Sequence, residues 1–463
     1  MTSQRVAASY RDPSGFVFRR DGVLLRQVQP RYQPHYDALL ASGLYDELVA
    51  AGLLLPHEEA PLDWAATPGA YRVLKPQQVP FVTYPFEWCF GQLREAALLT
   101  LDVLVRAIAR ELVLKDASAY NVQFVEGRAV LIDTLSFEGY EEGRPWIAYR
   151  QFCQHFLAPL LLMAQVDVRL SALLREHLDG VPLDLASRLL PRRTWLRFGS
   201  MLHVHLHARS IRRHGGDEAA AIGRAGRVSR TTLLGLADSL RALVAGLEPP
   251  GTATEWASYE REHNYTEAGL AEKRAVVERW LAEMKPASVW DLGANTGTFS
   301  RIAARGGARV VAMDGDAGAV ERAWRALRAE GETRVLPLVV DLTNPTPALG
   351  FGYLDHEALL ERGRPDAVLA LALVHHLAIS HNLPLARIVD VLARIAPQAI
   401  VEFVPKDDPQ TRRLLISRED IFGEYTRDAF ESAVRRVFTV EATAGLPDTD
   451  RVLYRLRRNE PGT

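Results

Sequence analysis

The carboxyl-terminal half of this 463-residue chain is predicted to fold as an α/β domain with a doubly wound parallel sheet, and three observations carry that prediction. The first is the stretch SVWDLGANTGTF over residues 288–299. An apolar run through Trp290 ends at Asp291, turns through Gly293, Asn295 and Gly297, and enters a helix-forming segment over residues 299–305. Strand, tight glycine turn and helix bring backbone amides up to a ligand, and the glycines supply positive φ and bare backbone. The second is repetition: apolar runs over residues 309–313 and 335–340 end at Asp314 and Asp341. Acidic residues therefore close three successive strands at the edge where doubly wound sheets bind ligands. The third is the run over residues 366–374, apolar after Asp366 as a strand buried on both faces should be. It delivers His375 and His376 to the same edge.

Residues 259–456 resemble the class I S-adenosylmethionine (SAM)-dependent methyltransferases. The family's first motif, acidic-x-Gly-x-(Gly/Asn)-x-Gly, stands here as Asp291-Leu292-Gly293-Ala294-Asn295-Thr296-Gly297. A nicotinamide-binding Rossmann domain expects Gly-x-Gly-x-x-Gly, which this turn does not spell. The resemblance implies a Rossmann-like sheet of seven strands with SAM as cofactor. It implies that Asp291 and the turn of Gly293, Asn295 and Gly297 hold the methionine end, that Asp314 takes the ribose hydroxyls, and that Asp341 with Leu342 meets the adenine edge. The helix-rich lead-in over residues 259–284 leaves two readings open: Tyr259, Asn264 and Tyr265 fold over the cofactor, or they belong to a packing helix. Lys273 faces the same choice. A fifth strand over residues 398–404, a helix over residues 420–438 and an antiparallel pair at 439–442 and 452–456 complete the expected sheet.

Methyl transfer is an in-line displacement that asks the protein to align the acceptor, exclude water and, where needed, remove a proton. An imidazole with an ordinary pKa near 6.5 suits that last task, so His376 or His375 is the expected general base or acceptor-orienting residue. His381 and Asn382 extend the rim, and Glu402 and Asp407 either line the acceptor pocket or face solvent. The Asn/Asp-Pro-Pro-aromatic motif of amino-group DNA and protein-glutamine methyltransferases is absent. The expected acceptor is therefore the hydroxyl of a small molecule or sugar-containing metabolite, with nucleic acid or peptide as the alternative.

The amino-terminal half reads as α+β. A hairpin about Asp21-Gly22, a helical stretch over residues 35–54, strands at 71–74 and 79–84, and a long helix over residues 89–112 come first. Then Asp116, Asn121 and, after a strand over residues 129–132, Asp133 stand in an order that resembles protein-kinase-like folds. That resemblance implies that Asp116 orients an acceptor hydroxyl while Asn121 and Asp133 hold magnesium beside ATP. Leu114 replaces the usual histidine, Thr134-Leu135 replaces Phe-Gly, the hairpin has no Gly-x-Gly-x-x-Gly, and Lys75 is the only candidate for the phosphate-pairing lysine. The plain alternative is that Asp116 and Asn121 shape a turn and Asp133 caps a segment. Residues 146–213 are patterned as helices. His203, His205 and His207 alternate there; His203 and His207 share a helix face, and packing is favoured over metal binding.

These readings divide the chain into a kinase-like domain over residues 1–215, a helical linker over 216–250 ending at Pro249-Pro250-Gly251, and a cofactor domain over 251–463. The net charge of −2 gives no global basic field for nucleic acid. Cys89 and Cys153, the only cysteines, provide neither a disulfide framework nor a cysteine-rich zinc site, so no metal site is expected. Residues 1–12 lack the apolar core of a signal peptide, and the longest apolar run, 156–164, is about half a membrane span. A cytoplasmic protein without membrane contact is expected. Three accounts compete: a methyltransferase whose kinase-like domain positions the acceptor, a bifunctional kinase-methyltransferase, and a non-catalytic SAM-binding protein.

Overall fold

The computed structural model describes residues 3–209, 227–249, 266–416 and 419–460. The chain forms two units, one of residues 1–251 with 348–357, the other of residues 252–347 with 358–463.

In the first unit, β1 (Ser3–Arg5), β2 (Gly15–Arg20), β3 (Val23–Val28), β4 (His57–Ala60) and β5 (Arg72–Pro76) form an antiparallel sheet in the order β1-β2-β3-β5-β4. Asp21 and Gly22, both at positive φ, make the tight turn between β2 and β3, the twist a two-residue hairpin requires. The expected helix over residues 35–54 is two helices, Gln33–Ala41 and Leu44–Ala50, parted at Gly43, whose φ of +73° stops the first. Residues 79–84 are not a strand. The Gln123 side chain takes the place of a neighbouring strand there: its Oε1 accepts from the Thr83 amide at 2.8 Å and its Nε2 donates to the Thr83 carbonyl at 2.9 Å. The strand that does form, β4, is the polar His-Glu-Glu-Ala, which sequence periodicity gave no reason to choose.

The helix Phe90–Ala109 carries the core of this unit, burying Leu93, Leu101, Val103 and Leu104 among others, and the helix Arg230–Ala245 packs along it through Leu233, Ala237, Leu240 and Val244. Beyond it come two small ribbons. β6 (Leu112–Leu114) pairs with β9 (Phe137–Gly139), and β7 (Val122–Val125) pairs with β8 (Arg128–Leu131). His205 is buried with Ser187 and Thr194 hydroxyls 2.8 Å from its two ring nitrogens; His203 meets the Tyr149 and Ser239 hydroxyls at 2.8 and 3.0 Å.

The second unit is built on β10 (Ser288–Leu292), β11 (Arg309–Asp314), β12 (Val335–Val339), β13 (Ala367–Ala370), β14 (Gln398–Phe403), β15 (Phe438–Gly445) and β16 (Val452–Arg458). Their order is β12-β11-β10-β13-β14-β16-β15; the first five are parallel, and β16 runs antiparallel to both its neighbours. The chain winds outward from β10 through β11 to β12, then returns to the other side of β10 for β13 and β14. The carboxyl ends of β10 and β13 thus flank the point where the winding reverses, which is where such sheets open a crevice. The start of the pair is pinned by Asp366, whose Oδ2 accepts from the amides of Ala287 and Ser288 at 2.9 Å and from the Ser288 hydroxyl at 3.0 Å. Val289, Val310, Leu369 and Ile400 on the strands pack with Val276, Trp280 and Ile302 on the helices to form the core beneath that edge.

Candidate functional site

The crevice is set by backbone geometry first. Directly after β10, Gly293, Asn295 and Gly297 have φ of +71°, +49° and +82°. Glycine takes such values without penalty, and asparagine is the side-chain-bearing residue that tolerates them best. A Cβ at Gly293 would lie 3.2 Å from Leu373 Cδ1, in the segment that follows β13, so the two loops at the switch point close on each other and a larger residue would have to push the Leu373 side chain aside. The helix Thr298–Arg305 begins at once, so its amino terminus lies at the same edge, with the Ser300 backbone hydrogen-bonded to Asp291.

Three carboxylates stand at the ends of the strands, and their surroundings differ. Asp291 is 2% exposed; its Oδ2 accepts from the Ser300 hydroxyl at 2.6 Å, and burial above all pushes its carboxyl up to about 6. Asp314 accepts from the Asn295 amide and the Asp316 amide, both at 2.8 Å, which ties the glycine turn to the end of β11. Burial raises its pKa, and those two amides work against the rise. Asp341 is exposed and accepts from the amide and hydroxyl of Thr343, with Leu342 half-buried beside it. The structure therefore brings Asp291, Gly293, Asn295, Gly297 and Asp314 together around one turn, with Asp341 at the end of the next strand. Tyr265, with Tyr259 and Asn264, lies outside the described residues.

The histidine pair departs from expectation in two ways. β13 ends at Ala370, four residues earlier than the apolar run, because Ala372 takes φ +50° and turns the chain. An alanine in that region is strained by about 1–2 kcal/mol. His375 and His376 consequently stand on the helical turn that follows, their ring centroids 4.1 Å apart. The second departure is chemical. His375 is fully buried, and neither ring nitrogen has a hydrogen-bond partner among the described residues. Burial, then His376, Arg451 and Lys273, hold it well below the ordinary imidazole range. Burial, then Arg451 and His381, lower the half-buried His376 to about 4. Both imidazoles are neutral at neutral pH, so they offer a bare nitrogen rather than a proton switch near pH 6.5.

Behind the pair lies a buried ionic cluster. Lys273 Nζ sits 2.7 Å from Glu402 Oε2, with the two side chains 3% and 0% exposed. Arg451 grips Asp408 bidentately, Nε and Nη2 at 2.7 and 2.9 Å from its carboxylate oxygens, and its Nη1 lies 3.7 Å from Glu402 Oε1. Lys273 and Glu402 are thus a structural pair, and Lys273 additionally lies over the Phe299 ring, 4.9 Å from its centre. Asp407 is the exposed member of its loop, paired with Arg412 at 3.1 Å, while its neighbour Asp408 is the buried one. His381 and Asn382 are exposed. Sequence reasoning missed Arg451, Asp408 and Ala372. Asp408 alone carried a local signal, since Asp before Pro409 reads as a helix N-cap, and its Oδ1 does accept from the Gln410 amide.

In the first unit, the segment between β6 and β9 gathers Asp116, Asn121 and Asp133. Asp116 is half-buried, accepts from the Ser118 amide at 3.0 Å, and is raised in pKa by burial and then by Asp133. Asn121 Nδ2 is 3.3 Å from the Ser136 hydroxyl. Asp133 caps the turn Thr134–Ser136 through the Leu135 amide at 2.8 Å, and Arg26 on β3 lies 2.6 Å from the same Oδ1. Lys75 is not part of this group. It lies on β5, exposed and 3.5 Å from Glu58. Arg26 faces Asp133 instead, and was not anticipated because its approach depends on the packing of β3 against residues more than a hundred positions later.

No family model matches the chain. Among solved structures it is similar to magnesium protoporphyrin IX methyltransferase (ChlM) from Synechocystis PCC 6803 with bound SAM, at 17% identity and a TM-score of 0.33, over 44% of this chain and 92% of that one. It is also similar to the N-methyltransferase NodS from Bradyrhizobium japonicum WM9, at 14% identity and a TM-score of 0.32, over 42% of this chain and 98% of that one. Likenesses of that strength decide nothing about function. The sequence match to nodulation protein NoeA of Rhizobium meliloti (strain 1021) is of another order: 35% identity over 462 residues, spanning 98% of this chain and 96% of that protein. This chain belongs to the family of nodulation protein NoeA.

Proposed function

We propose that the carboxyl-terminal unit is a SAM-dependent methyltransferase acting on a hydroxyl of a small molecule or sugar-containing metabolite. The observation that carries this reading is the glycine turn at the switch point between β10 and β13, with Asp314 bonded to its Asn295 amide. The residues fit the cofactor. A turn with three positive-φ residues, two of them glycines, admits close backbone approach, and the buried carboxyl of Asp291 suits the ammonium of the methionine end.

In this reading Asp291 and the turn of Gly293, Asn295 and Gly297 hold the methionine end. Asp314 takes the ribose hydroxyls, and Asp341 with Leu342 the adenine edge. SAM supplies a methyl group already activated on a sulfonium. The work left to the chain is positioning and dryness. His376, with His375 behind it, presents a neutral imidazole nitrogen that accepts a hydrogen bond from the acceptor hydroxyl and fixes its line of approach. A neutral imidazole has no charge to repel a cationic neighbour, and the cluster of Lys273, Glu402, Arg451 and Asp408 holds the strand ends beneath it rigid.

We read the amino-terminal unit as a divergent protein-kinase-like fold that recognises or positions the acceptor. Three features support it: the antiparallel order β1-β2-β3-β5-β4, helices between β3 and β4, and ribbons β6–β9 and β7–β8 that bracket Asp116, Asn121 and Asp133. A cytoplasmic setting is part of the same reading, in keeping with Cys89 and Cys153, both buried and neither in a disulfide. Among the described residues no helix is long and apolar enough to cross a membrane.

Mass spectrometry of metabolite extracts incubated with the protein and isotopically labelled SAM tests the assignment. A labelled methyl group should appear on a hydroxyl of a small, sugar-containing product. Label confined to peptide or nucleic acid would replace the acceptor class, and SAM binding without any labelled product would replace turnover by binding alone.

A further inference from the structure

The kinase-like reading of the amino-terminal unit implies magnesium and a nucleoside triphosphate, and the residues present do not fit them. We infer that the Arg26 guanidinium takes the place of the divalent cation at Asp133, and that the amino-terminal unit works without metal or nucleotide. The inference stands on the geometry of this unit alone and does not depend on the methyltransferase reading.

Four observations converge. Asp133 Oδ1 already accepts from the Leu135 amide at 2.8 Å and faces Arg26 Nη1 at 2.6 Å, so one of its two carboxylate oxygens is committed twice and its charge is met by a guanidinium. Arg26 has a second carboxylate, with Asp12 Oδ2 3.4 Å from its Nη2, and the pair Arg26–Asp133 is about one-sixth exposed on both sides. Asn121 turns its amide nitrogen toward Ser136, 3.3 Å away, spending a donor inside the cluster where a metal site wants an oxygen. The segment between β1 and β2, where a glycine-rich phosphate cover would lie, contains no glycine over residues 6–14. It is held instead by a turn hydrogen bond and an ion pair: Asp12 accepts from the Ser14 amide at 2.8 Å, and Arg11 reaches Asp355 at 2.6 Å.

The charge balance points the same way. Asp12, Asp116 and Asp133 face Arg26 and Lys115, and Lys115 is itself turned to the Ser14 hydroxyl at 3.3 Å and the Tyr32 ring at 4.8 Å. A triphosphate entering this group would bring like charge to an acidic excess. A guanidinium, always protonated and forked, is a permanent substitute that neither exchanges nor depends on metal supply.

Calorimetric titration and thermal unfolding of the full chain with ATP in excess magnesium test the inference. The expected result is no heat beyond dilution and a midpoint unmoved by more than about 1 °C at millimolar concentration, since a ligand that does not bind the native state cannot stabilise it. Saturable binding that raises the midpoint by several degrees, and that Asp133→Ala abolishes, would overturn it. Arg26→Ala sharpens the test by releasing Asp12 and Asp133. That variant should gain a stabilisation by magnesium chloride alone that the parent protein lacks. A folded Arg26→Ala protein indifferent to magnesium would deny Arg26 the role assigned to it. Should that variant not fold, the titration of the parent protein decides between the two results.

Discussion

Each unit of this protein carries an aspartate delivered by a β-strand into a loop rich in chemistry-bearing residues, and the two are treated in opposite ways. Asp133, two residues beyond β8, meets a cation from its own chain, Arg26, and is closed off by it. Asp314, at the end of β11, accepts from two backbone amides, those of Asn295 and Asp316, with the charge of Arg322 a smaller influence. Amides orient a carboxylate and favour its charge without neutralising it, so Asp314 keeps the capacity to accept from a ligand. The identity of the nearest donor, far more than the aspartate itself, separates a carboxylate met by a cation from one met by backbone amides.

The contrast is broken most forcefully inside the carboxyl-terminal unit, where an internal ion pair is fully buried. Lys273→Met leaves Glu402 buried with its nearest counter-ion gone, and should lower the stability of that unit by about 3–5 kcal/mol in urea unfolding. Lys273→Met combined with Glu402→Leu should recover much of the loss. A single variant as stable as the parent would mean that Arg451 alone satisfies Glu402.

Gly293→Val comes next. A branched side chain at φ +71°, with Leu373 already 3.2 Å from where its Cβ would stand, should weaken SAM affinity more than about 100-fold, roughly 2.7 kcal/mol. Retained affinity in a folded variant would remove the turn from the site. His376→Ala should cut kcat at least about tenfold while SAM affinity stays within about twofold, the pattern of a group that acts on the acceptor. Its companion observation is the pH profile of the parent enzyme. With His376 lowered to about 4 and His375 lower than its ordinary value, kcat should show no limb near pH 6.5, and a limb there would contradict the neutral-imidazole assignment.

The smallest expected effect is the pH dependence of SAM affinity. The folded pKa of Asp291 is raised, so its protonated form is the one the empty fold favours. That contribution to stability is complete below the ordinary carboxyl value near 3.8 and is lost as pH rises through about 6. A cationic ligand is drawn to the ionised form. Affinity should therefore be flat above about pH 7 and fall severalfold on going to pH 5, with Asp291→Asn weaker throughout and nearly insensitive to pH in that window. An unchanged profile in Asp291→Asn would assign the dependence to another group.

What the sequence made legible was local. The motif around Asp291, the acidic ends of β10 and β11, the Asp341 that follows β12, and the antiparallel pair β15–β16 are written in contiguous residues, because strand periodicity and turn chemistry act over a few positions. What it hid was long-range. Lys273 and Glu402 are 129 positions apart, Asp408 and Arg451 are 43 apart, and neither partner advertises the other. For the histidine pair an ordinary imidazole pKa was expected, and burial lowers both, which only the packed structure reveals. Ala372 shows the same limit at the backbone: alanine has no preference for positive φ, so nothing foretold that β13 would stop four residues early. In the amino-terminal unit Lys75 was chosen because it was the available lysine. The register of β3, which pairs Arg26 with Leu74 and leaves its side chain beside Asp133, was invisible.

The most direct measurement is isothermal calorimetry of the full chain with SAM. One saturable site per chain, lost in Gly293→Val while the variant's unfolding transition remains cooperative, is the expected result. A well-folded parent protein that releases no binding heat across several temperatures would contradict the assignment of the β10–β13 edge as a SAM site.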